Sequence, residues 1–421
     1  MKKAISKGSV KSNIVNVPCS KSIAHRVLIC AALAEGKSII RNIEESEDIK
    51  ATINALRSIG VTFNYIDDTL IVYGVGKNIK LIKDEVFCNE SGSTLRFLIP
   101  LLSLSNERVI FKGEGRLLKR PLDVYKDIFE SQGLYFDLRD DELVIEGSLS
   151  SGKYVIPGNI SSQFISGLLF TLPLLEGDSE IEIIEPIESK SYIYLTIDAL
   201  KKAGVEVNFT DNVLYIKGNQ SYKCLEEKVP GDDSQAAFFA SLACMIDTSI
   251  TISNMEHDSN QGDHKIIDFL KKMNMVIEEK DEGYTFYPSL LVGTEIDLED
   301  NPDLGPVLFA LASKAMGKTV FKNVSRLRIK ESDRIASMEE ELKKLGIEIS
   351  STENEVIVKE SNISSIEELY GHNDHRIVMA LAILAASSEK EIVIDGVEAI
   401  NKSYPKFFED LEKIGVNVYD I

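Results

Sequence analysis

The sequence predicts an α/β protein made of six copies of one unit of about 70 residues, grouped as two domains of three. Three observations carry this prediction. A pattern of helix end, glycine, strand, polar turn and second strand recurs, as in "ALRSIGVTFNYIDDTLIVYG", "IFESQGLYFDLRDDELVIEG", "ALKKAGVEVNFTDNVLYIKG", "FLKKMNMVIEEKDEGYTFYP" and "ELKKLGIEISSTENEVIVKE", and ends as "DLEKIGVNVYDI". Its hinge residues, Gly60, Gly133, Gly204, Asn274, Gly346 and Gly415, are spaced 73, 71, 70, 72 and 69 residues apart. Glycine five times and asparagine once is what a left-handed helix C-cap selects. Lastly, 421 residues exceed one ordinary core.

Within each repeat a polar or glycine-bearing loop leads into an apolar helix, then a strand, then a second helix that ends at the hinge. The first is "VPCSKSIAHRVLICAALAEGKS" at 17–38. It is apolar at helical spacing from Ile23 to Leu33, with Ser20 as N-cap and Glu35-Gly36 as stop. His25 is expected to face solvent or cap locally. The strand-like "SNIVNV" at 12–17 precedes the first repeat, and the sixth repeat stops after its first hinge strand. The N-terminal strand is therefore expected to complete the C-terminal domain. This gives an N-terminal domain of residues 18–229 and a C-terminal domain of 1–17 plus 230–421, with crossings near "VPCS" and "VPGDDS".

The bulk numbers narrow the function. A net charge of −20 argues against nucleic acid as a partner. The longest apolar runs, such as "LLFTLPLL", are too short to span a bilayer, and no apolar signal core follows the basic N-terminus. A cytoplasmic protein is expected. The five cysteines are scattered without C-x-x-C, and the five histidines lack metal-ligand spacing, so neither a disulfide framework nor a metal site is expected.

The unusual residues gather at helix starts. Lys21, Ser22 and Arg26 open the first repeat. Gly92 and Arg96 follow in "ESGSTLRF", and Ser161, Ser162 and Gln163 in "GNISSQF". Then come Asp232 and Ser234 in "GDDSQ", Asp303 in "NPDLGP", and Asp374, His375 and Arg376 in "GHNDHRI". Second helices open with Arg120 in "LLKRPLD", Ser189 and Tyr192 in "ESKSYIY", Lys330, Glu331 and Arg334 in "LRIKESDR", and Lys402 in "INKSYPK". Serine and aspartate there are ordinary caps, and Asp232 and Ser234 need be no more than that. Cations are different. A helix N-terminus is already positive, so Lys21, Arg26, Arg96, Arg120, Lys330, Arg334, Arg376 and Lys402 need an anion to justify them. Eight such cations in an acidic chain point to more than one bound phosphate or carboxylate. The glycines of a nucleotide P-loop and the G-x-G-x-x-G fingerprint are missing, so neither ATP nor NAD is implied.

These same stretches, "PCSKSIAHR", "SGSTLR", "GEGRLLKRP", "SSQFISGLL", "RIKESDR", "NDHRIVMA" and "NKSYPKFF", together resemble the EPSP synthase family of 3-phosphoshikimate 1-carboxyvinyltransferases, in order and over essentially the whole chain. The resemblance implies two inside-out α/β domains, each a threefold repeat of a βαβαββ unit, with the active site in the cleft between them. It implies shikimate 3-phosphate and phosphoenolpyruvate as substrates, no cofactor and no metal, a monomer, and a place in the shikimate pathway of aromatic amino-acid biosynthesis. By matching positions it makes Asp303 the proton acceptor, and Glu331 with Lys21 the acid. Shikimate 3-phosphate falls to Lys21, Ser22, Arg26, Ser161, Ser162, Gln163, Ser189, Tyr192, Asp303 and Lys330. Phosphoenolpyruvate falls to Lys21, Gly92, Arg120, Gln163, Arg334, Arg376 and Lys402. Two positions depart from the common pattern: Glu90-Ser91-Gly92-Ser93 stands where many members have N-A-G-T, and Arg326 where many have asparagine. Neither Glu90 nor Arg326 receives a role.

Two other readings compete. The sister enolpyruvyl transferase acting on UDP-N-acetylglucosamine typically has K-N where this chain has Lys21-Ser22, and a cysteine in the loop matching "GEGRLLKRP", which has none. A non-catalytic binder of anionic metabolites would not need both Asp303 and Glu331.

Overall fold

All six hinge residues adopt positive φ: Gly60 92°, Gly133 69°, Gly204 76°, Asn274 71°, Gly346 78° and Gly415 118°. Each therefore turns the chain out of a helix into a strand at a conformation that residues with a Cβ adopt reluctantly. The computed structural model describes residues 1–66 and 69–421, so the polar turn expected at Asp67-Asp68 in the first repeat lies outside the described residues.

Among the described residues there are six four-stranded sheets, all with one strand order; five contain a hairpin that follows a hinge, and in the sixth the strand after Gly415 pairs with the N-terminal strand instead. In the second repeat Glu85–Phe87 runs parallel to Val109–Lys112, which is antiparallel to Glu142–Glu146, which is antiparallel to Tyr135–Leu138. The parallel pair brackets the repeat's first helix, Gly92–Ser103, because parallel neighbours need a crossover. The repeat is thus βαβαββ, as expected.

The chain divides into two compact units: Cys19–Val229, and Met1–Pro18 with Pro230–Ile421. Each holds three sheets, and each borrows strands from its own far end. Glu226–Lys228 supplies the leading strand beside Glu35–Arg41 in the first unit. Ile14–Val15, inside the strand-like stretch, pairs parallel with Ile250–Ile252 in the second. A further strand, Lys2–Ser6, lies antiparallel between Ile392–Asp395 and Asn417–Asp420 and completes the sixth sheet. The sequence reading missed it because "KKAIS" offers little alternation over five residues.

The first helices of the repeats are buried almost all round. Residues 24–33 of Lys21–Leu33 and every residue of His375–Ala385 are buried. A helix apolar on every face belongs inside. The strands alternate buried and exposed residues, as in Ser179–Ile184, so the sheets lie outside with one face to water. Helices within and sheets without is the inside-out arrangement expected. No helix among the described residues is long and apolar enough to cross a membrane.

Candidate active site

In the unit Cys19–Val229 the predicted residues cluster around helix starts. Ser20 caps Lys21–Leu33, its hydroxyl accepting from the Ile23 amide. Lys21 Nζ lies 2.8 Å from Asp48 Oδ2, a carboxylate in the first turn of Glu47–Arg57. Arg26 is buried. Its Nε donates to Thr196 Oγ1 at 2.8 Å, Nη1 to the Ser22 carbonyl at 2.6 Å and Nη2 to the Tyr192 carbonyl at 3.1 Å. The guanidinium also stacks near Phe97 and Tyr192, at 5.2 and 5.9 Å from the ring centres. Burial pushes its pKa down to about 10.

Gln163 follows Ser161, the N-cap of Ser162–Thr171. Its Oε1 accepts from Arg96 Nη1 at 2.7 Å and its Nε2 donates to Ser93 Oγ at 3.0 Å. Arg96 also donates to the Pro121 carbonyl at 3.0 Å, next to Arg120. Arg120 lies over Gly92: a Cβ added to Gly92 would sit 2.6 Å from Arg120 Nη1. Ser189 is buried and left-handed, φ 54°, immediately before the helix Lys190–Lys202 that carries Tyr192.

The expectation for His25 is corrected. It is fully buried, with Nδ1 2.7 Å from Thr52 Oγ1 and its ring edge-on to Phe97. The helical spacing turned it inward, where Thr52 supplies the polar partner. Burial, with help from Lys21 and Arg26, holds its pKa well below the ordinary histidine range, so the ring is neutral at pH 7.

The second unit, Met1–Pro18 with Pro230–Ile421, gathers a cluster of its own. Asp303 Oδ1 accepts from Arg334 Nη1 at 2.8 Å, and Oδ2 from Arg376 Nη2 at 3.0 Å; Lys330 Nζ lies 3.5 Å from Oδ1. Burial alone would raise the Asp303 carboxyl. Arg376, Lys330 and Arg334 overcome it and hold the group well below the usual carboxylate range. Arg334 Nε donates to Asp374 Oδ2 at 2.8 Å, and Ser332 Oγ donates to the same oxygen at 3.1 Å. Burial raises the Asp374 carboxyl too, and Arg334 outweighs it, so Asp374 is also depressed. Glu331 Oε2 lies 2.9 Å from His375 Nδ1. Lys402 Nζ donates to the Asn373 carbonyl at 2.6 Å.

Other sequence readings also change. Ser234 does more than cap: its hydroxyl accepts from Arg376 Nη2 at 3.0 Å, while Asp232 caps the helix amides. Arg120, Lys330 and Lys402 do not open α-helices. Arg120 and Lys330 follow the 3-10 turns Leu117–Lys119 and Ser325–Ile329, and Lys402 ends the turn Val397–Lys402. Asp303 likewise lies in a 3-10 turn, Pro302–Leu304, ahead of Gly305–Ala312. These cations are placed by tight turns rather than against a helix dipole. Asp48 and Thr196 carry no signal in the sequence, and Asp374 and His375 stand in "GHNDHRI" without a role. Asp374 and His375 were signalled only by their place beside Arg376.

The pattern of a buried cation cluster with two carboxylates can bind multiply charged anions and exchange protons with them. Residues 5–411 match the family described as EPSP synthase (3-phosphoshikimate 1-carboxyvinyltransferase). A 3-phosphoshikimate 1-carboxyvinyltransferase of Clostridium kluyveri is 46% identical over 409 residues, covering 95% of this chain and 94% of the relative. One from Clostridium perfringens is 44% identical over 423 residues, with 99% of each covered. The solved EPSP synthase of Acinetobacter baumannii superposes with a TM-score of 0.83 at 26% identity over 100% of both chains. The enolpyruvyl transferase NikO of Streptomyces tendae shares the fold, with a TM-score of 0.80 at 16% identity over 99% of this chain and 98% of its own. The chain belongs to the EPSP synthase family, the transferases of 3-phosphoshikimate 1-carboxyvinyl chemistry in the pathway to aromatic amino acids.

Proposed function

We propose that the residues of both units serve one reaction, whose substrates are shikimate 3-phosphate and phosphoenolpyruvate. The enolpyruvyl group of phosphoenolpyruvate is transferred to the 5-hydroxyl of shikimate 3-phosphate. The observation that carries this is Asp303 gripped by Arg334, Arg376 and Lys330: a base surrounded by the cations that two anionic substrates require.

Asp303 takes the 5-hydroxyl proton as the oxygen bonds to C2 of phosphoenolpyruvate. Glu331, aided by Lys21, supplies the proton that C3 gains. The tetrahedral adduct then loses phosphate and one C3 proton, leaving the enol ether. With three cations on it, Asp303 is a weak base. Substrate anions that draw charge from Arg334 and Arg376 would restore its basicity at the moment it is needed. Lys21, Gly92, Arg120, Gln163, Arg334, Arg376 and Lys402 hold phosphoenolpyruvate and stabilise departing phosphate. Lys21, Ser22, Arg26, Ser161, Ser162, Gln163, Ser189, Tyr192, Asp303 and Lys330 hold shikimate 3-phosphate. The protein acts as a monomer, in the cytoplasm, without cofactor.

Asp303→Ala tests the assignment. Both substrates should still bind by calorimetry, while turnover falls by about 10²–10⁴-fold, the usual share of a positioned base. Turnover within a few-fold of the parent would overturn Asp303 as the base.

A further inference from the structure

Glu90 precedes the capping serine of the Gly92 helix and has no part in the reaction described so far. We infer that Glu90 is a positioning residue for Arg120, clamping the loop that carries this guanidinium onto the start of the Gly92 helix.

The Glu90 side chain lies close to this loop. A Cβ built on Gly115 would lie 2.1 Å from Glu90 Oε1 and 2.6 Å from its Cδ. Glu90 thus sets its carboxylate against the backbone at 115, where φ is +57° and glycine is the residue that suits the conformation. On either side the segments are joined. The Glu114 amide donates to the Asn89 carbonyl at 2.7 Å, and a Cβ on Gly113 would meet that same carbonyl at 3.0 Å.

From this junction a chain of turn hydrogen bonds runs to Arg120. Leu117 N–H donates to the Glu114 carbonyl at 3.1 Å, and Arg120 N–H to the Leu117 carbonyl at 3.3 Å. Arg120 then returns its guanidinium to Gly92, two residues beyond Glu90. The ring closes: Asn89 and Glu90 hold one end of the loop, and Gly92 receives the side chain at its other end. Loosening the Glu90 contact lets the loop drift, and a bidentate anion contact tolerates little displacement. The contact is one of shape, and an amide of the same shape fills the same place.

The inference rests on Arg120 binding phosphoenolpyruvate, so the experiment carries a separate arm for that reading. Steady-state phosphate release is measured for the parent, Glu90→Ala, Glu90→Gln and Arg120→Lys, varying each substrate in turn. Arg120→Lys should raise KM for phosphoenolpyruvate; an unchanged value overturns the reading of Arg120 and the inference with it. With that arm positive, Glu90→Ala should raise KM for phosphoenolpyruvate by about tenfold while KM for shikimate 3-phosphate stays within about twofold, and Glu90→Gln should lie close to the parent. The inference alone is overturned if Glu90→Ala leaves the phosphoenolpyruvate KM unchanged. It is equally overturned if both KM values and kcat shift together with a lower melting temperature, or if Glu90→Gln is as impaired as Glu90→Ala.

Discussion

Arg334 joins Asp303 and Asp374 through one buried guanidinium, with Nη1 2.8 Å from Asp303 Oδ1 and Nε 2.8 Å from Asp374 Oδ2. The proposed base and the cap of the helix His375–Ala385 are therefore held by the same planar group. A lysine could reach one of them but not both.

Stability at low pH follows from this pairing. Asp303 has its pKa depressed in the folded protein, so its contribution is fully present above the unfolded value near 3.8 and is lost as pH falls toward the lower folded value. Asp303→Asn should therefore be less stable than the parent at pH 7, with the gap narrowing below about pH 4. Urea unfolding at pH 7, 4 and 3 checks this. A gap that stays constant would mean the carboxylate is not ionised in the pairing seen.

His25 acts in the opposite corner of the titration range. Its folded pKa lies well below 6.5, so the unfolded chain binds a proton that the folded one refuses. Stability is complete above pH 6.5 and should fall by about 1.4 kcal/mol per pH unit below it from this group. His25→Gln should flatten the change in unfolding free energy between pH 7.5 and 5.5. An identical slope in parent and variant would count against a buried neutral ring.

Gly92 and Arg120 occupy one another's space. In Gly92→Ala the new methyl lies 2.6 Å from Arg120 Nη1, and the guanidinium is the part that must move. KM for phosphoenolpyruvate should rise by about tenfold or more with little change in melting temperature. A larger loss for shikimate 3-phosphate would place Arg120 on the other substrate.

Arg26→Lys should act on shikimate 3-phosphate instead. The lysine loses the fork that joins Thr196, the Ser22 carbonyl and the Tyr192 carbonyl. KM for shikimate 3-phosphate should rise by about tenfold or more, since a point charge does not replace a planar donor set. An unchanged KM would leave Arg26 with a packing role only.

Local rules made much of this legible in advance. The six left-handed hinges were readable because glycine and asparagine mark positive φ directly, and the caps Ser20 and Ser161 because serine has few other reasons to precede an apolar helix. What escaped depends on partners distant in the chain. Nothing near Lys21 announces Asp48, and nothing near Arg334 announces Asp374, forty residues on. His25 was misplaced because a helix with a wide apolar face can bury a histidine when Thr52 meets it from another helix. The 3-10 turns before Arg120 and Lys330 pass for helix starts in the sequence because three and five residues are too few for a periodic signal.

The central claim is carboxyvinyl transfer to shikimate 3-phosphate, and acceptor-dependent phosphate release from phosphoenolpyruvate by the purified protein tests it most directly. Release with shikimate 3-phosphate and none with UDP-N-acetylglucosamine is the predicted result. Release with the sugar nucleotide alone, or with neither acceptor from well-folded protein, would contradict the account.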